Sequence, residues 1–457
     1  MAGVATGWLA LQAAVAAAQI ALPAPLADPR AIDFAADPVL AFAASGSGDA
    51  DFAAAIAAAV LRAPAVAEAV AGTDAARAQR REVRAGLFPM LSATVGSSRS
   101  LTRDFVDSSD AVERLLPRGR TDAAAAADQL LFDFGATGGR IAGASARVAA
   151  ARANADRSAA DFALGGVEAW HEVIGFQALT ELSTALVARH RAILADISTR
   201  VDAGLGAGGD IARTEAGLAG AVGDVLRSKR SLAAARARYR ERFGTDAAVH
   251  PRRASTDSFA VITPDKAAID AGRTPEVAIA VALAEAARAD ARATRADALP
   301  RLTGGLSATR FNIFGPGPNH DVRGQVTLRQ VFSVGGAEAA RTSGADARAR
   351  AAAAAADRVR IAAEADASAA AAEAQLLDRS VTALGDAYRA NRRNRDTMAE
   401  QFRVSRGSLD DLLRTEGDYF AAARALLLGV IERDLARYTL LARTGGLLAH
   451  FAIPPAR

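Results

Sequence analysis

Hydrophobic and polar positions along this chain follow two clear rhythms. Over 321–332 the period is two. Val322, Val326, Leu328 and Phe332 fall on one side, and Arg323, Gln325, Thr327 and Arg329 fall on the other. Such alternation predicts a strand with one apolar and one wet face. The turn Gly315-Pro316-Gly317-Pro318-Asn319 joins it to a preceding strand over about 301–312. Equivalent strands are expected at about 90–103 and 122–134, with a longer polar loop around Pro117 between them. Over 138–203 the period is helical: Leu182, Leu186, Ile193, Ile197 and Val201 step by four, seven, four and four, as on a coiled-coil seam. Leu377, Val381, Leu384 and Tyr388 do the same later in the chain. At roughly 1.5 Å per residue the first of these helices reaches ~100 Å.

The prolines support this reading. Two tracts contain none, 118–250 and 319–453. Proline breaks helix interiors, so long proline-free tracts rich in Ala, Arg, Leu and Glu predict long helices. Return helices are expected over 210–243 and 411–444, and shorter helices over 64–88 and 275–299. Aromatic residues make up only 5% of the chain. Ala-rich helices with small faces approach closely and substitute backbone proximity for bulky cores.

The same order of landmarks occurs twice. Arg62-Ala63-Pro64-Ala65-Val66 matches Arg273-Thr274-Pro275-Glu276-Val277 at an offset of 211, as does Leu87-Phe88-Pro89-Met90-Leu91 with Ala298-Leu299-Pro300-Arg301-Leu302. Leu131-Phe132-Asp133-Phe134-Gly135 matches Val331-Phe332-Ser333-Val334-Gly335 at offset 200, and Asp210–Glu215 matches Asp411–Glu416 at 201. The drop in offset places a shorter loop in the second half. The boundaries that follow are a signal or disordered lead-in over 1–50, a first repeat over 51–250, a linker over 251–274, a second repeat over 275–450 and a tail over 451–457.

Composition narrows the chemistry. The 457 residues include no Cys, which excludes thiolate zinc sites, a Cys nucleophile and disulfides. The formal charge is +4, from 55 Lys and Arg against 51 Asp and Glu. So balanced a charge argues against nucleic acid as a partner. Gly204-x-Gly206-x-x-Gly209 spells a dinucleotide fingerprint but follows a helix instead of a strand, so it reads as a helical turn. His171-Glu172 opens like a zinc-protease helix, yet Gly175 stands where the second histidine belongs. The five histidines lack ligand spacing, and His190 falls on the apolar seam as a packed residue. No catalytic, cofactor or metal site is expected, and the chain does not read as an enzyme. Arg389, Arg392, Arg393 and Arg395 form a basic cluster, read first as a solvated helix face and otherwise as a lining for an acidic substrate or a partner. Trp8 to Leu22 is an apolar stretch without the preceding Lys or Arg of an ordinary secretory signal. No segment after residue 30 holds about 20 uninterrupted apolar residues, so no helical membrane span is expected.

Together these residues resemble the TolC-type outer-membrane channel family (outer membrane factors). The resemblance rests on Asp51-Phe52-x-x-Ala55-Ile56-x-x-Ala59-Val60 with Pro64, the Leu-Phe-Pro and Ala-Leu-Pro strand entries, the Phe-Asp-Phe-Gly strand exit, and two turn motifs. The turn motifs are Arg200–Gly206 followed by Asp210, and Phe402–Leu409 followed by Asp411 and Glu416. It covers roughly 50–450. It implies a mainly α fold with a transmembrane β-barrel: a homotrimer in the outer membrane, four strands per protomer in one shared barrel, and long helical hairpins forming a periplasmic α-barrel. It also implies that the hairpin tips dock a periplasmic adaptor protein through Gly204, Leu205, Gly206 and Asp210 in the first tip and Ser405, Arg406 and Gly407 in the second. Ser405 stands where the family often has Gly. Asp411 matches an acidic residue of the family's periplasmic gate, and Arg414 replaces its second acidic position.

The expected function is an exit duct for type I protein secretion, fed by an inner-membrane ABC transporter. The extended Gln129–Gly135 strand exit and the lack of an acylated Cys point that way. The alternative within transport is drug or metal efflux with a proton-driven pump. The alternative of another class is a soluble structural coiled coil, which would have no sheet at 90–134 and 301–334.

Overall fold

The computed structural model describes residues 22–44, 46, 49–102, 119–248, 252–257, 259–317 and 319–456. Most of the apolar stretch Trp8–Leu22, the loop around Pro117, His250 and Pro318 lie outside the described residues. After a 3-10 turn at Pro29–Ala31 come helices α1 (Pro38–Ala44), α2 (Asp49–Arg62) and α3 (Pro64–Ala85), strands β1 (Met90–Arg99) and β2 (Gly119–Phe132), then α4 (Ala136–Asp202) and α5 (Gly208–Phe243). The second half runs α6 (Pro264–Ala271), α7 (Pro275–Asp297), β3 (Arg301–Arg310), β4 (His320–Arg329), α8 (Ala337–Arg403), α9 (Leu409–Arg443) and α10 (Leu447–His450). Both long helices, α4 and α8, have 67 residues. The segments that a structural coiled coil would leave helical are strands.

Two expectations need correction. The lead-in over 28–50 is not simply disordered, because it contains α1 and the start of α2 and carries fully buried Asp37 and Val39. The linker over 251–274 contains α6, which the 211 offset places on residues 53–60 of α2. The duplication therefore extends one helix further than the landmarks showed. Proline opens α3, α6 and α7 at the first helical position, where its missing N–H is no loss.

The chain forms two compact units, each built from both repeats. One holds 22–66, 159–274 and 363–455. Its aromatic core surrounds Phe52 of α2, whose ring lies 5.1–5.7 Å from Trp170, His171, Tyr438 and Phe451. A second cluster joins Val39, Leu182, Leu186, Tyr388, Tyr419, Leu426 and Val430. The expected seam residues Leu182, Leu186, Ile193 and Ile197 are all buried, as is His190. All four tyrosines of the chain lie in this unit.

The other unit holds 67–158 and 275–362 and packs through small residues. Six alanines of α7 between Ala282 and Ala293 are buried. A methyl group at Gly139 of α4 would lie 2.9 Å from the Ala293 Cβ, so only hydrogen fits. The same contact is flanked by ion pairs from Arg140 to Asp297 at 2.6 Å and from Arg147 to Asp290.

In this unit the four strands pair antiparallel in chain order. The register sorts most of their side chains, with Met90 and Leu130 on the polar face and Arg99, Gln129 and His320 on the apolar one as exceptions. Leu91, Ala93 and Val95 align with Ala127, Ala125 and Ala123, and these with Leu306, Ala308 and the end residue Arg310. Leu302, Gly304 and Ala308 in turn oppose Leu328, Val326 and Val322. The opposite face presents Ser92, Thr94, Ser98, Arg120, Asp122, Asp128, Arg301, Thr303, Gln325, Thr327 and Arg329. The alternation read from β4 alone therefore extends across the whole sheet. Among the described residues no single helix is long and apolar enough to cross a membrane.

Burial holds the His171 and His190 imidazoles below the usual histidine range. His171 Nδ1 donates to the Val167 carbonyl at 2.9 Å, and its Nε2 has no partner. The unfolded chain takes up protons near pH 6.5 while the folded core resists them, so stability present above about 6.5 is lost as pH falls below it. Thermal unfolding should therefore shift to lower temperature between about pH 7.5 and 5.5. A His171→Asn, His190→Asn chain should show a flatter dependence by calorimetry over that range.

Candidate functional site

The first hairpin, α4–α5, turns at Asp202–Gly208, and the second, α8–α9, turns at Arg403–Leu409. The two turns are built alike. In the first, Leu205 N–H donates to the Arg200 carbonyl at 2.8 Å and Gly204 N–H to Val201 at 2.9 Å. In the second, Arg406 N–H donates to Gln401 at 2.8 Å and Ser405 N–H to Phe402 at 3.1 Å. This paired closure of a helix end needs a left-handed residue after the last turn. Gly204 takes it at φ +74° and Ser405 at φ +58°. The serine thus occupies the glycine's backbone conformation, at a penalty of roughly 1–2 kcal/mol for its Cβ.

The return helices start on matching caps. The Asp210 carboxylate accepts the Ala207 N–H at 3.3 Å. Ser408 Oγ accepts the Asp411 N–H at 3.1 Å and donates to the Asp411 carboxylate at 2.7 Å. Gly204, Leu205, Gly206, Ser405 and Arg406 are exposed, Leu205 to 81%, while Gly407 and Asp210 are half-buried. A Cβ at Gly407 would meet the Phe402 nitrogen at 3.1 Å, so this glycine lets the chain double back. Arg414 pairs with Asp411 at 3.1 Å within the same helix. Hydrogen bonds from Ser408 and then Arg414 hold the Asp411 carboxyl below its usual range.

Three ties that the sequence reading missed join the two hairpins. Arg213 of α5 reaches Asp410 of α9 at 3.2 Å. The Arg200 guanidinium of α4 lies 4.5 Å from the Phe402 ring centre of α8. Arg189 of α4 pairs at 2.6 Å with Glu416 of α9, which is 1% exposed. Glu416 could have been found: it lies on the buried stripe Leu412, Tyr419 and Ala423, where an acid needs a partner. The basic cluster above the tip also departs from expectation. Arg393 is exposed and Arg389 half-buried, but Arg392 and Arg395 are buried, so this is not simply a solvated face. The Gly204–Gly209 fingerprint lies in the helical turn, and among the described residues no group of His, Asp or Glu could hold a metal.

Residues 55–245 match the family model of outer membrane efflux proteins. A membrane protein from Pseudomonas aeruginosa superposes with a TM-score of 0.78 at 20% identity, covering 88% of this chain and 92% of that one. The outer membrane protein VceC from Vibrio cholerae superposes with a TM-score of 0.76 at 16% identity, covering 87% and 99%. The Neisseria gonorrhoeae MtrE outer membrane channel, solved in its open state, gives 0.71 at 19% identity, covering 87% and 89%. No curated protein sequence matches significantly. The family match covers less than half of the chain, and the superpositions show that the chain has the fold of outer membrane channels.

The strand entries of the two halves are built alike. Gln129 Nε2 donates to the Leu87 carbonyl at 2.7 Å beside β1, and Gln330 repeats the contact to Ala298 at 3.0 Å beside β3. Asp133 accepts the N–H groups of Gly135 and Thr137 and so caps α4. Phe132 and Phe134 stack edge to face at 4.7 Å, both exposed, at the end of β2.

The two tips and the stem above them yield two expectations. Ser405→Gly should raise stability by about 1 kcal/mol, and Gly204→Ala should lower it by a similar amount, both read by denaturant unfolding. Glu416→Ala strands a buried charge network and should lower stability by roughly 3 kcal/mol, with Glu416→Gln losing less.

Proposed function

We propose that the chain is one protomer of a trimeric exit duct that completes a tripartite export system. The observation that carries this reading is the sheet: one face mainly apolar and the other mainly polar, with β1 and β4 as unpaired edges. In lipid an open strand edge leaves backbone groups unsatisfied at several kcal/mol each, so such a sheet becomes stable only when copies close it into a barrel. The apolar face then meets lipid, and the polar face lines water.

The helical hairpins of this duct take up an adaptor at their exposed tips, at Gly204, Leu205, Gly206 and Asp210 on one and Ser405, Arg406 and Gly407 on the other. Asp411 and Arg414 stand at the periplasmic gate. Because each acid there has a basic neighbour, three copies produce a ring of paired charges instead of a purely acidic one, which weakens its attraction for cations.

For the cargo we favour an unfolded protein delivered by an ABC transporter. Support comes from the Gln129–Gly135 strand exit and the cysteine-free chain. Drug or metal efflux is the second reading, favoured by the match to an efflux family. Deleting the gene separates them: loss of one exported protein from the medium with unchanged drug and metal tolerance supports secretion, and the reverse pattern overturns it.

The barrel itself has a direct test. Val326→Arg, on the apolar face, should destabilise the assembled barrel by about 2–4 kcal/mol, whereas Gln325→Arg beside it on the polar face should be tolerated. The yield of heat-resistant oligomer in the outer-membrane fraction reads both. Equal yields would defeat the assignment of faces.

A further inference from the structure

The apolar face of the sheet changes character at one end. The helices adjoin the strands at Met90, Phe132, Arg301 and Arg329. At the opposite strand ends the same face carries cations. Arg99 closes β1 and stands opposite Gly119. Arg310 closes β3 and stands between Ala123 of β2 and His320 of β4. Ser97 and Thr121 form the row between, where the Thr121 hydroxyl donates to Ser97 Oγ at 3.1 Å.

These two arginines differ from others on the sheet. On the polar face Arg120 pairs with Asp122 at 2.8 Å and Arg323 with Asp321 at 2.6 Å, and Arg301 reaches Asp297 at 3.2 Å. Among the described residues Arg99 and Arg310 have no acidic partner, and both are exposed. An arginine facing lipid is costly at mid-depth of a bilayer and cheap only near its surface. There, phosphate oxygens of the headgroups can accept both arms of a guanidinium fork.

The surface leading to the arginines has room for a hydrocarbon chain. On this face β2 shows only Ala127, Ala125, Ala123, Thr121 and Gly119, so nothing larger than threonine rises from it. Leu91 and Val95 of β1 stand along one side and Leu306 of β3 along the other. At about 3.3 Å per residue this furrow runs for ~26 Å, longer than one bilayer leaflet of roughly 15 Å.

We propose that this end of the sheet binds a phosphate-bearing lipid of the outer leaflet, with an acyl chain in the β2 furrow and the phosphate between Arg99 and Arg310, His320 lying beside Arg310. The proposal rests on the duct reading above, which puts the helices in the periplasm and the opposite strand ends at the outer leaflet. The lipid supplies the counter-ion that the two arginines do not find on the described sheet.

Spin-labelled lipids at trace level, in phosphatidylcholine vesicles holding the assembled full chain, test this. The motionally restricted fraction reports the relative affinity of each lipid for the barrel surface. Phosphatidylglycerol should associate several-fold more strongly than phosphatidylcholine, because only its headgroup carries net negative charge. Arg99→Gln with Arg310→Gln should bring the two lipids close to equality, whereas Arg323→Gln on the polar face should leave the preference unchanged. Inorganic phosphate should weaken the preference no more than sodium chloride of equal ionic strength; a specific loss would reveal a site for free anions and overturn the lipid assignment. An inserted, heat-resistant oligomer without any preference, or with one that survives in the double variant, overturns the site and leaves the duct standing. If the double variant does not insert, Arg310→Gln decides alone by the same criterion. A wild-type chain that fails to insert overturns the duct reading and the lipid site with it.

Discussion

A strand edge left open in hydrocarbon cannot be hydrated, and this constraint organises the molecule. Four strands with one oily and one wet face satisfy each other internally but leave β1 and β4 without outer partners. In the proposed trimer the hydrogen-bonding groups missing from one chain are supplied by its own copies. Helices α3, α4, α7 and α8, which lead to and from the strands, must then pack around a common axis. Narrow helices suit that arrangement, and the unit bearing the sheet is accordingly made of alanine and glycine contacts such as Gly139 against Ala293.

The two compact units are stabilised by different means. Around Phe52 the chain gathers a cluster of rings that includes Trp170, Tyr438 and Phe451, with His171 buried among them. Around α7 it relies on backbone proximity and on arginine–aspartate pairs at the surface, which contribute little individually. A sequence with 5% aromatic residues can support both because it does not spread its bulky side chains evenly.

Much of this fold was legible in the sequence. Proline and glycine fix where helices begin and end, and the recurrence of Pro, Phe, Gly and Asp at nearly constant offsets exposed the duplication. The alternation of Val322, Val326 and Leu328 with Arg323, Gln325 and Thr327 identified a two-faced strand. The tips were legible as positions, though not as geometry: nothing in the string shows that Ser405 adopts a glycine's backbone. The buried ion cluster was not legible. Asp37 and Arg392 are 355 positions apart, and an arginine on a helix reads as solvated until the segment that covers it is known. Glu416 was the exception, because its place on an apolar stripe signals a partner in advance.

The likeness of the two tips has an asymmetry built into it. One bend is made with a residue indifferent to handedness, and the other forces an L-amino acid into the mirror region of backbone space. Two hairpins of the same design therefore do not fray alike under thermal agitation. The Ser405 bend unwinds first, so the end of the molecule that carries Asp411 has a softer hinge than its twin.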